Sequence, residues 1–193
     1  MDPVGQKHQI ILEHEQKFAD RLALQVLDRP KLNVWMILIP IIFVHYFYRM
    51  QRFNSGRIAF AENFMIIRKR ALDEALDAVQ NEKSAKVDRS AWLLKLPEAL
   101  HGPNLKMLEL LVSHYTDLMR SEGESIEALI RSAYQTRIQY LLFVNELNQA
   151  EKVLNSALKP YLATSLERVD DIISAMETAS EKLRRNHAET VFP

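Results

Sequence analysis

The sequence predicts an all-α protein that carries one short membrane segment. Only four of its 193 residues are glycine, and alanine, leucine, glutamate, lysine and glutamine are abundant, as is typical of helical proteins. Apolar residues recur at spacings of three and four along most of the chain, which is the period of a helix with one buried face. One strongly apolar run, residues 32–48, departs from that pattern and predicts the membrane segment.

The chain divides into three predicted parts. Residues 1–30 form an amphipathic N-terminal helix, which Pro30 ends. Residues 31–53 hold the membrane segment with its flanks, and residues 54–193 form a helical bundle domain of about four antiparallel helices. The expected helices of this bundle cover residues 57–82, 104–121, 125–158 and 160–188.

Local signals place the boundaries inside the bundle. Asn104 is expected to cap the helix over 104–121, and Gly123 to take a left-handed conformation after that helix ends. Ser125 is expected to cap the helix over 125–158. Residues 140–144 are apolar all round, which predicts that the longest helix is covered on more than one side. Pro160 is expected to break that helix and start the last one.

The membrane segment is only just long enough to cross a bilayer. Its 17 residues would rise roughly 25 Å as a helix, against a hydrocarbon core about 30 Å thick. Pro40 lies in the middle and predicts a kink. Aromatic and basic side chains at its ends are of the kind found at the membrane interface, and these are Trp35, Tyr46, Tyr48, Arg49 and Arg52.

Two topologies follow from this segment, and we favour the first, a short membrane helix kinked at Pro40. One is a single kinked span, and the other is a shallow insertion that turns at Pro40 and returns to the same side. The apolar face of the amphipathic helix in residues 1–30 must be buried against another surface. If that helix packs beside the bundle, the shallow insertion is favoured. The basic residues after the segment predict a cytoplasmic location for the bundle domain.

Composition excludes several classes of function. The chain has no cysteine, so disulfides, thiolate metal sites and cysteine nucleophiles are ruled out. No two glycines lie close enough for a phosphate-binding loop. Acidic residues outnumber basic ones in residues 71–193, which argues against nucleic acid as a partner. No catalytic constellation is recognisable, and no cofactor is predicted.

Three histidines are weak candidates for a metal or cofactor site. Glu98 and His101 have the spacing of helical di-iron proteins, but no second copy follows, and Pro97 and Gly102 leave little helix to present them. His114 lies beside an apolar stripe, where a lone histidine is usually a packed or surface residue.

His45 is the strongest of the three, because it is polar within the apolar run and polar groups at membrane depth usually have a partner or a role. It could ligate haem or contact a quinone. Its position four residues before Arg49 also suits an ordinary place at the interface, which we favour.

These observations predict a structural or interactive function. We expect a membrane-anchored helical interaction or scaffold protein whose partners are the lipid bilayer and either another protein or a second copy of itself. It could be an accessory subunit of a membrane complex. One alternative is a redox subunit that binds a metal or cofactor through membrane or bundle histidines. Another is a membrane-surface protein that senses lipid or curvature through residues 6–70.

Overall fold

The computed structural model describes residues 2–27, 56–81, 96–163 and 169–193. Within these ranges the protein is all-helical and contains no strand. One short 3-10 helix, Glu98–Leu100, precedes α3. The α-helices are α1 (Pro3–Leu27), α2 (Gly56–Gln80), α3 (His101–Arg120), α4 (Ile126–Tyr134), α5 (Arg137–Leu162) and α6 (Val169–Val191).

The predicted membrane segment at residues 31–53 lies outside the described residues, together with its interfacial residues, Pro40 and His45. Among the helices of the described ranges, none combines the length and the apolar character that a membrane crossing requires. The bundle itself therefore holds no membrane-spanning helix within residues 2–27, 56–81, 96–163 and 169–193.

Helices α1 and α2 form an antiparallel pair. His8 near the start of α1 lies 3.7 Å from Asp73 near the end of α2, and Phe18 stacks on Phe64 with ring centroids 5.8 Å apart. Leu22 packs with Phe60 towards the other end of the pair. Leu27 and Gly56, the last residue of α1 and the first of α2, are therefore at the same end of the pair.

The other long helices share this end, which we call the connecting end. Leu100, at the start of α3, packs with Leu158 near the end of α5. Lys159 pairs with Asp170, at the start of α6. Met176 of α6 joins the cluster that contains Phe60.

The opposite end, which we call the terminal end, holds both chain termini. Lys7 donates to the carbonyl of Met119 at the end of α3, and Arg131 of α4 donates to the carbonyl of Val191 at the end of α6. The N-terminus and the C-terminus are thus remote from the connection between α1 and α2.

The apolar face of the amphipathic helix predicted for residues 1–30 is buried within the bundle. Ile11 belongs to the main core, whose members come from α1 to α6. Ala19, Leu22 and Val26 are fully buried. Helix α1 is therefore an integral helix of the bundle, and these apolar side chains pack against the other helices. The apolar face of α2 is covered in the same way, by α1 and α3.

Three boundary predictions were wrong. The helix expected over 125–158 is two helices, because Gln135 takes a positive φ of 58° between α4 and α5. Pro160 does not break α5, which continues to Leu162. A helical proline removes one backbone hydrogen bond and crowds the carbonyl four residues back, and α5 accommodates this in its last turn. Asn104 caps nothing, because α3 already begins at His101 and the Asn104 amide donates to the carbonyl of Leu100.

Two local predictions hold, and a third needs correction. Ser125 caps α4 by accepting from the backbone N–H of Ala128. Gly123 has a φ of +147°, and a Cβ there would lie 2.7 Å from the Cβ of Ala128. The apolar centre of α5 is not covered all round, since Leu142 is 62% exposed.

Candidate functional site

The most unusual feature of the bundle is a group of charged side chains in its interior. Arg68 is only 3% exposed, and its Nε lies 2.9 Å from Oε2 of Glu15 while its Nη2 lies 2.8 Å from Oε1 of Glu151. Arg184 binds the same Glu151 through both carboxylate oxygens at 2.6 Å and also donates to Asn148. We call Glu15, Arg68, Glu151 and Arg184 the ionic cluster.

The ionic cluster connects four helices. Glu15 belongs to α1, Arg68 to α2, Glu151 to α5 and Arg184 to α6. A buried charge is stable only when it is paired and hydrogen-bonded, and each guanidinium here has at least one carboxylate partner. The cluster therefore fixes the relative positions of four helices.

The fields within the cluster keep its carboxylates ionised. Burial by itself raises the pKa of Glu151, but Arg184 and Arg68 outweigh it and lower that pKa to about 2. Burial also opposes ionisation of Glu15, and the charge of Arg68 again leaves its pKa below the ordinary value. Burial is likewise the largest influence on Arg68, yet Glu15 and Glu151 raise its pKa. The cluster is a set of permanent charges at neutral pH.

Aromatic rings complete the surroundings of the two guanidinium groups. The Arg68 guanidinium lies 3.6 Å from the ring centroid of Phe64, and that of Arg184 lies 5.2 Å from the centroid of Phe18. Such cation–π contacts stabilise a desolvated cation. Each ring covers one face of its guanidinium.

A layer of histidine and aromatic side chains lies beside the cluster, towards the terminal end. The rings of His14 and His187 are 4.6 Å apart, and Nδ1 of His187 is 3.2 Å from the hydroxyl of Tyr140. His114 forms a 2.6 Å hydrogen bond with the Tyr134 hydroxyl and also stacks on a neighbouring ring. A cavity of about 30 Å³ separates this layer from the ionic cluster.

The three histidines of this layer are neutral at physiological pH. Burial lowers the pKa of His114 to about 3. Burial, followed by the proximity of His14, lowers that of His187 to about 4. Burial also lowers the pKa of His14. Neutral, packed imidazoles of this kind strengthen the core.

The weak metal candidates do not come together. Glu98 is exposed on the short 3-10 helix, and Nε2 of His101 is 2.8 Å from the carbonyl of Leu96. His114 is buried and bonded to Tyr134. Across residues 2–27, 56–81, 96–163 and 169–193, no three His, Asp or Glu side chains are grouped closely enough to hold a metal ion.

Sequence reasoning missed the ionic cluster, although a signal was present. Arg68 follows Phe64 by four residues and precedes Leu72 by four, so it occupies a core position of the α2 stripe. Glu15 stands in the same way between Ile11 and Ala19. A charge at the buried position of a helical stripe predicts a partner of opposite sign elsewhere in the core.

The largely apolar groove on the other side of the ionic cluster is the second candidate site. It lies between α2, α3, α5 and α6 and has a cavity volume of about 110 Å³. Its walls carry mainly aliphatic and phenylalanine side chains, and Arg68 and Glu151 form its inner boundary. Comparison with family models, curated proteins and solved structures finds no match to this chain.

Proposed function

We propose that the protein is a membrane-anchored helical interaction protein, inserted from one side of the bilayer through residues 32–48. The observation that carries this proposal is the antiparallel pairing of α1 and α2. The chain leaves the bundle after Leu27 and re-enters it at Gly56, at the same end. The connection between these two points contains the apolar run.

The packing of α1 supports insertion from one side over a single span. A span would put α1 and α2 on opposite sides of the membrane, which is incompatible with the 2.9 Å ion pair of Glu15 and Arg68. Crossing and returning would take roughly 40 residues as two helices, whereas about 28 residues lie between Leu27 and Gly56. A shallow insertion that returns to the same side satisfies both limits, and we assign that side to the cytoplasm from the basic flanks.

The interaction surface of this proposal lies on α5. The apolar faces of α1 and α2 pack largely inside the bundle. Ile138 and Leu142, one turn apart on α5, are 73% and 62% exposed. Large exposed apolar patches mark surfaces for association with another protein. We infer that this pair belongs to such a patch, so α5 is the proposed contact with a partner or a second copy.

The absence of cysteine allows a direct test of the topology. Single cysteines at the exposed positions Gln6 and Thr190, on the first and last helices, would be labelled with a membrane-impermeant maleimide in sealed native membrane vesicles. The proposal expects both cysteines to react equally in one vesicle orientation and both to be protected in the other. Opposite reactivity of the two sites would establish a span and overturn the proposal.

Liposome flotation tests the anchor itself. The double variant Ile39→Asp, Ile42→Asp should no longer float with vesicles, because each carboxylate opposes entry into hydrocarbon. Ile138→Asp carries a new carboxylate on α5 and serves as the matched control, which should float like the wild type. Equal flotation of the double variant and the wild type would contradict insertion through residues 32–48.

A further inference from the structure

The apolar groove differs from the rest of the interior because four helices surround it without filling it. Helix α2 packs chiefly on α1 and α3, whereas α5 packs on α3 and α6, so a gap remains between α2 and α5. Its walls include half-buried side chains that face the gap, and examples are Phe64, Ile67, Leu154, Leu158, Leu162 and Ile173. The groove extends from the ionic cluster to the connecting end.

Several polar groups of the groove walls are already paired within the protein. Asn155 donates to Glu177 at 3.0 Å, and Asn104 donates to a backbone carbonyl at 2.8 Å. Arg68 and Glu151 bind each other. No groove-lining side chain has a fully buried polar atom left without a hydrogen-bond partner, and most of the walls are aliphatic or aromatic, which suits an apolar ligand.

The size of the groove restricts its occupant further. Its volume of about 110 Å³ is somewhat below that of the ~150 Å³ apolar cavity that stays dry and binds benzene. A helix with its side chains is about 10 Å wide and would not fit without separating α2 from α5, which Arg68 and Glu151 hold together. The end of a single hydrocarbon chain is narrow and flexible enough to enter a groove of this volume.

The position of the groove identifies the source of such a chain. Phe60, Leu162 and Val169 line it at the connecting end, where residues 28–55 leave and re-enter the bundle. We propose that the groove binds the end of one hydrocarbon chain of a membrane lipid, taken up where the bundle meets the bilayer. This inference rests on the proposed membrane anchoring and adds a lipid chain as its ligand.

Binding of cis-parinaric acid, a fatty acid that fluoresces in apolar surroundings, tests the inference on the purified full-length chain. Ile173→Trp would fill the groove and should weaken binding at least tenfold. Val153→Trp places the same indole at an exposed position of α5 outside the groove and should leave the affinity unchanged. Absence of binding to the wild type, or equal affinity of the wild type and Ile173→Trp, would overturn the proposal.

A second groove variant tests the inference even if Ile173→Trp fails to fold. Leu154→Phe also narrows the groove from a half-buried position and should weaken binding without changing the urea unfolding curve. If both groove variants bind like the wild type, the probe is held elsewhere and the inference fails.

Two further measurements separate this inference from the proposed anchoring. Ile173→Trp should still float with liposomes, because the groove is not the anchor. The double variant Ile39→Asp, Ile42→Asp should lose flotation but bind cis-parinaric acid with wild-type affinity. Tighter binding by that double variant would show that residues 32–48 compete for the groove, and weaker binding would show that they hold the probe; both results would overturn the lipid-chain assignment.

Discussion

The guanidinium of Arg68, on α2, lies 2.8 Å from the carboxylate of Glu151, on α5. These two helices otherwise face each other across the apolar groove. The ion pair therefore closes the inner end of the groove and joins two halves of the bundle, α1 to α3 on one side and α5 with α6 on the other.

Removing the shared cation should be strongly destabilising. Arg68→Met leaves the buried Glu15 without its cationic partner, and breaking a buried pair in this way costs about 3–5 kcal/mol. Urea unfolding followed by circular dichroism measures the change. Arg137→Met breaks the exposed pair with Glu189 and, as the matched control, should cost less than about 1 kcal/mol.

A double variant tests the cause of that loss. Arg68→Met combined with Glu15→Leu removes the orphaned charge, so most of the lost stability should return. A double variant no more stable than Arg68→Met would show that packing around residue 68, and not the uncompensated carboxylate, sets the free energy of unfolding.

Acid should destabilise the protein in two successive steps. Burial lowers the pKa of His114 to about 3, and burial with the proximity of His14 lowers that of His187 to about 4. Between pH 6.5 and 4 the unfolded chain therefore binds protons on both histidines that the folded chain excludes. Stability falls as the pH falls through this window. Although burial favours its protonation, Glu151 has a pKa of about 2 because of Arg184 and Arg68. Its contribution is complete above pH 4.5 and is lost as the pH falls towards 2.

The histidine step can be isolated by substitution. His187→Gln should flatten the dependence of stability on pH between 6 and 4.5 by about 1.4 kcal/mol per pH unit. The free energy of unfolding would be measured in urea at each pH. Wild-type and variant curves that run parallel through this window would contradict the assignment to His187.

The two glycines near the ends of α3 should respond oppositely to alanine. Gly123→Ala forces a side chain into a φ of +147° and to 2.7 Å from Ala128 Cβ, which should cost at least about 1–3 kcal/mol. Gly102, inside the first turn of α3, has nothing within 4 Å of a new Cβ. Gly102→Ala should therefore be neutral or stabilise by up to about 1 kcal/mol. Thermal unfolding of both variants provides the comparison.

The helices themselves could be predicted because periodic burial is a local property of the sequence. The stripe through Ile11, Leu22 and Val26 requires cover wherever α1 lies, and these side chains are buried as expected. The surface against which this stripe packs depends on residues remote in sequence. The pairing of α1 with α2 is fixed by contacts such as that of Phe18 with Phe64, and no spacing rule reports such a contact.

The errors at Gln135 and Pro160 share a physical cause. Helix propensity describes the average free-energy cost of placing a residue in a helix. Tertiary packing around the residue decides whether the helix forms in spite of that cost. Gln135 accepts a positive φ because Thr136 immediately caps α5, accepting from the backbone N–H of Gln139. Pro160 is accommodated in the last turn of α5, two residues before the helix ends. The ionic cluster escaped prediction because it combines one charge from each of four helices.

Two leucines on α5 differ strongly in their exposure to solvent. Leu142 is 62% exposed whereas Leu147 is 5% exposed on the same helix. Leu142→Glu should change stability by less than about 0.5 kcal/mol. Leu147→Glu buries an unpaired carboxylate and should cost several kcal/mol or prevent folding. Urea unfolding distinguishes the two, and comparable losses would show that another part of the chain covers Leu142, which would remove the proposed interaction surface.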